Sequence, residues 1–202
     1  MEAMSLLSDI RDDYISRFRP RAKAEARHYA QGSDAERIQR AALAENSAGL
    51  KHKHQWRIPP AALAKFSTRL KERLFDITQA ASFAELLAIL ESERIKGVAE
   101  LTVYDTAIRI GRGQALEPKE VYLHAGTRKG AKRLGLNVKR PSIPRNEFLA
   151  DFDGLSAAEI EDLLCTYAPY MGPNAEVFQR PGSCTPLPKG CSPRQKAPKP
   201  CG

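Results

Sequence analysis

Two glycine-bearing turns set beside basic side chains are where residue types and spacing in this chain suit chemistry, and that chemistry is the capture of an anion. The first turn reads Ile95-Lys96-Gly97-Val98-Ala99. Glycine lets a backbone approach an oxygen closely, and the free amides at the start of a following helix point at it. The second runs from His124 through Gly126, Thr127, Arg128 and Lys129 to Lys132 and Arg133, a glycine-led helix start with a basic face. Arg128 and Lys132, like Lys129 and Arg133, stand four residues apart, where like charges repel unless an external anion relieves them. A third basic element, Lys51-His52-Lys53-His54-Gln55-Trp56-Arg57, holds the one tryptophan of the chain. Lys51, Lys53 and Arg57 suit phosphate and Trp56 suits stacking on a base. Alternatively, Trp56 and Ile58 anchor this loop to a core while its bases point outward.

Charge along the chain supports an anionic partner. Residues 121–145 hold seven Lys or Arg and no acid, and residues 146–164 hold six acids (Glu147, Asp151, Asp153, Glu159, Glu161, Asp162) and no base. A sorted field of this kind attracts polyanions, of which phosphate backbones are the commonest; the competing possibility is that the two blocks pair with each other. The second turn lacks the GxxxxGK[ST] spacing of a nucleotide-hydrolysing loop. His52 and His54 have no third ligand nearby, so no metal site is expected, and no cofactor is implied.

The elements that position these residues are mainly helical. Ser33 with Glu36, Ser82 with Glu85 and Ser156 with Glu159 form S-x-x-E capping boxes ahead of amphipathic runs. The periodicity predicts helices over 5–18, 20–31, 34–46, 60–79, 83–93, 100–111, 118–123, 127–134 and 157–167. Pro59-Pro60 suits a helix entry, and Ala62, Phe66, Leu70, Leu74 and Ile77 form an apolar stripe behind it. The one strand candidate is 136–138. The expected class is all-α: one compact multi-helix domain over 1–171, with charged helices over 1–48, the hairpin and basic region over 60–145, and an acidic helix over 146–171. Residues 172–202 carry seven prolines and five bases against one acid, a composition expected to be disordered. Cys165 is expected as a small buried hydrophobe. No apolar run suits a bilayer span or a secretory leader, so a cytoplasmic location is the expectation, with nucleoid association as an alternative within it.

The segment from Phe83 to Gly111, with its turn at Ile95-Lys96-Gly97-Val98-Ala99 followed by Thr102, resembles the helix-hairpin-helix motif of DNA-binding and DNA-repair proteins. Gly97 and Val98 match that motif, Ala99 stands where its second glycine is usual, and Lys96 replaces its proline. The resemblance implies backbone-directed binding of nucleic acid, DNA above RNA, at Lys96, Gly97, Val98 and Ala99. Tyr104-Asp105-Thr106 followed by Arg109 also resembles the catalytic-aspartate region of repair glycosylases, which implies Asp105 as a catalytic carboxylate. Asp105 and Arg109 equally suit a plain i, i+4 pair. A protein-interaction module that docks or self-associates through the 147–162 acids is the third alternative.

Overall fold

A computed structural model describes residues 2–172, without the side chains of residues 2–5 and Lys53. The tail expected to be disordered lies outside the described residues beyond Gly172. The described chain is mostly helical: α1 (Glu2–Arg17), α2 (Arg19–Tyr29), α3 (Asp34–Leu43), α4 (Pro60–Glu72), α5 (Leu74–Gln79), α6 (Phe83–Ser92), α7 (Glu100–Gln114), β1 (Glu120–Tyr122), α8 (Ala125–Arg133), β2 (Ser142–Pro144) and α9 (Ala157–Thr166). No helix among the described residues is long and apolar enough to cross a membrane.

The chain divides into two compact units: Arg21–Pro118, and a second made of Met1–Pro20 with Lys119–Gly202. The Arg21–Pro118 unit buries Ile38, Ala41 and Ala42 of α3, Leu63, Phe66 and Leu70 of α4, and Val103, Tyr104, Ala107 and Ile110 of α7. Ser33 and Ser156 form complete capping boxes with Glu36 and Glu159. Ser82 accepts the Glu85 amide, but the Glu85 carboxylate returns to the amide of Ala81. The continuous helix expected over 60–79 breaks at Arg73, which ends α4 and opens α5 at φ −100° and ψ 20°. Neither glycine nor proline marks that break. At the break the Arg73 guanidinium pairs with Asp76 at 2.6 Å and Glu93 at 2.9 Å.

The discontinuous unit packs Ile10, Tyr14 and Phe18 against Val121, Ile143, Ile160, Leu163, Leu164 and Tyr167. Residues 118–123, expected as a helix, instead supply β1, which pairs antiparallel with β2 in the register Val121↔Ile143. The strand candidate at 136–138 was misplaced by the same token. In β1 Val121 faces inward with Leu123 just beyond it while Glu120 stays exposed, the period of two that a strand requires. Cys165 is buried on α9, as expected of a small hydrophobe.

α8 and α9 pack backbone to backbone at Gly130, where an added Cβ would lie 2.3 Å from the Leu164 carbonyl oxygen. Gly130→Ala should therefore force the two helices apart. Overpacking of this kind typically costs about 1–3 kcal/mol, readable as a lowered urea midpoint. Unchanged stability in that variant would show that the close approach is not required.

Candidate functional site

The two anion-binding turns do not share a unit: the 95–99 turn belongs to Arg21–Pro118 and the 126–133 helix start to the discontinuous unit. The second turn is largely occupied by its own fold. Thr127 is fully buried and its hydroxyl donates to Glu161 Oε1 at 2.6 Å. Arg128 donates to the carbonyls of Val138, Arg140 and Leu123, and Arg133 donates to the Ala168 carbonyl at 2.6 Å. Among the described residues, Lys129 and Lys132 are exposed on α8 with neither an ion pair nor a side-chain hydrogen bond, whereas the exposed Arg133 is tied to the Ala168 carbonyl. Gly126 is half-buried at the helix start.

The acidic block answers the basic one inside the same unit. Glu147 pairs with Arg140, Asp153 with Arg145, and Glu159 holds Arg19 through two bonds of 2.6 and 2.9 Å. Asp151 accepts from Ser8, Asp162 from Tyr14, and Glu161 from Thr127. The docking surface expected over 147–162 is thus made of carboxylates already engaged at home. Intramolecular pairing lowers the field that a partner would feel.

In the Arg21–Pro118 unit, α6 and α7 form a helical hairpin whose turn closes through the Val98 amide onto the Ile95 carbonyl at 3.0 Å. Gly97 takes φ +93°, a left-handed conformation that favours glycine, and stands exposed with Lys96 while Val98 is buried. Ala99 caps α7 only through its carbonyl. Glu100 opens the helix with a carboxylate, which already complements the helix dipole where a phosphate was expected. The expected cradle at 96–99 therefore reduces to the Lys96 side chain beside an open glycine turn.

The 51–57 loop is more informative. The side-chain oxygen of Asn46 accepts the amides of Ala48 and Leu50, and the Lys51 ammonium donates to the Ile58 carbonyl at 2.7 Å. Lys51 thus closes the loop instead of facing outward, and the Lys53 side chain lies outside the described residues. Gln55 is fully buried, its amide nitrogen donating to Asp105 and its oxygen accepting from Arg109 at 3.1 Å. Arg109 is buried as well, 3.9 Å from Asp105 and over the ring of Tyr29 at 5.7 Å. At the other end of the loop, His52 Nε2 lies 2.7 Å from Glu25 and 3.0 Å from the Tyr29 hydroxyl. His54 lies 4.0 Å from Asp105, so the two histidines turn to different carboxylates. Among the described residues, no group of three or more His, Cys, Asp or Glu is placed to hold a metal ion.

This stapling corrects the expected anchor. Gln55, with Ile58 half-buried, holds the loop, while Trp56 is 72% exposed and Arg57 is exposed beside it. Asp105 forms the plain i, i+4 pair with Arg109 and serves as the acceptor that pins Gln55. The loop leads into α4, whose Ala62 lies against the hairpin turn: a Cβ on Gly97 would stand 3.7 Å from the Ala62 Cβ. Trp56, Arg57, Lys96 and Gly97 therefore belong to neighbouring segments joined through the first turn of α4. Lys65, one turn beyond Ala62 and exposed, completes the basic set and was missed from sequence. The signal was present: residues 46–71 contain Lys51, Lys53, Arg57, Lys65, Arg69 and Lys71 and no acid. Arg69 and Lys71 are engaged by Glu93 and Gln39.

Comparison with family models, with curated proteins and with solved structures finds no match to this chain.

The clamp at Glu25 gives a pH signature. Burial pushes its carboxyl up, but the His52 hydrogen bond and the charges of His52, Arg112 and Arg109 outweigh it, holding the group down at about 2 instead of 4.5. A depressed carboxylate stabilises the fold above its unfolded value and loses that contribution as pH falls toward its folded value. Wild type should exceed Glu25→Gln in stability by roughly 1–3 kcal/mol near neutral pH. Chemical denaturation at a series of pH values should show this gap closing between about 4.5 and about 2. A gap constant across that window would contradict the assigned ion pair.

Proposed function

We propose that the Arg21–Pro118 unit binds nucleic acid through its phosphate backbone, at a surface built from Arg57, Lys65 and Lys96 around the exposed Trp56. The observation that carries this is the outward pair Trp56–Arg57 on a loop fixed from beneath by Gln55 and His52. A large exposed aromatic is unusual on a polar surface, and a basic neighbour makes it suited to a ligand with both rings and phosphates. The 46–71 stretch offers no carboxylate to repel such a ligand. The Lys96-Gly97 turn keeps its likeness to the helix-hairpin-helix motif in this proposal, with the lysine as the charged contact.

Engaging two to four phosphates of duplex DNA gives a slope of log K against log salt of about −2 to −3.5. Anisotropy of labelled DNA over a salt series measures it. Arg57→Ala and Lys96→Ala should each flatten the slope by about 1. Lys132→Ala, in the other unit, should leave it unchanged. Absence of binding at low salt overturns the proposal, and so does a slope that responds to Lys132 and ignores Arg57 and Lys96.

A further inference from the structure

The ligand class can be narrowed from how Trp56 is presented. Base faces in a duplex are covered by their stacked neighbours, so an aromatic side chain reaches them only by prising a step open, at an unstacking cost of a few kcal/mol. An unpaired base offers its face with no such cost. The loop carrying Trp56 is built for the second situation. Its backbone closes through the His52 amide onto the Ala44 carbonyl at 2.9 Å and the Ile58 amide onto the Gln55 carbonyl at 2.9 Å. Its side chains are fixed by the Lys51–Ile58 bond, the His52–Glu25 pair and the buried Gln55 bridge. A loop held in this way needs little further ordering when a base settles on the ring it carries. It is a flat surface beside a cation and not a wedge backed by a helix in a groove: Trp56 directly follows the single turn Lys53–Gln55, and Arg57 comes one residue later to meet the phosphate of a stacked nucleotide.

We infer that the preferred ligand of this surface is single-stranded nucleic acid, or an unpaired stretch within a folded one, with a base stacked on Trp56 and its phosphate held by Arg57. The inference rests on the nucleic-acid function proposed above and adds the strand state to it. An exposed tryptophan beside an arginine is also the composition of a protein-binding hot spot. The acid-free basic stretch over 46–71 decides for a polyanion.

The chain's single tryptophan makes the test direct. Oligothymidylate, oligouridylate and a long duplex DNA are titrated into the full chain at low salt, following Trp56 emission and, in parallel, anisotropy of the labelled nucleic acid. Stacking should quench the emission with either single strand, the two arms separating DNA from RNA, and the duplex should bind with little quenching. Trp56→Ala should weaken single-strand binding roughly 5- to 150-fold, the range expected for one lost base–aromatic stack, while changing duplex binding little. Trp56→Phe should retain most of the affinity, which separates stacking from damage to the loop. Since Trp56 is exposed, neither substitution should disturb the core. Equal quenching by duplex, or single-strand affinity unchanged in Trp56→Ala, overturns the strand preference while backbone binding stands. No binding of any of the three nucleic acids overturns both, and leaves a protein partner as the explanation of the exposed ring.

Discussion

Gln55 is the residue on which the arrangement of the candidate surface depends. α7 sets a partly buried carboxylate four residues from a buried guanidinium, but at 3.9 Å Asp105 and Arg109 are an ion pair without a good hydrogen bond. A buried guanidinium left short of acceptors is costly, as is a buried carboxylate short of donors. One primary amide serves both, because its oxygen accepts from Arg109 and its nitrogen donates to Asp105. Neither a leucine nor a glutamate at that position could do so. The requirement fixes the loop against α7 and, through chain geometry, turns the next two residues toward solvent.

The same need to satisfy buried polar groups explains why the most conspicuous charge pattern led elsewhere. The guanidinium fork lets arginine bond several carbonyls at once, and Arg128, Arg133 and Arg145 each donate to backbone carbonyls of the segments around them. The arginines of residues 121–145 consequently act as internal ties, and the acids of the next segment complete those ties. Lysines cannot replace them in this role, and Lys129, Lys132 and Lys139 remain on the surface. A sorted charge block thus reports on packing at least as readily as on a partner.

Legibility followed the range of the interaction responsible. The caps at Ser33, Ser82 and Ser156 were readable because the bonds that define them span three or four residues. The hairpin turn at Gly97 was readable for the same reason, its positive φ demanding glycine locally. The break at Arg73 was not, since neither glycine nor proline marks it and the guanidinium there pairs with Glu93, twenty residues away. β1 was not either, because three residues become a strand only when a partner across the sheet claims their backbone.

From its sequence alone the chain determines a mostly helical polypeptide, the placement of most helix starts, a glycine turn at 97 and a basic, tryptophan-bearing loop. All of these depend on local backbone preference and on the order of charges. Tertiary structure decided which charges remain available, joining Gln55 to α7 and freeing Trp56 and Arg57 while engaging Lys51, Thr127, Arg128 and Arg133 internally. The physical reason is that a side chain's hydrogen-bond partners are chosen by proximity in space. In this fold the deciding partners of Gln55 lie about fifty residues away along the chain.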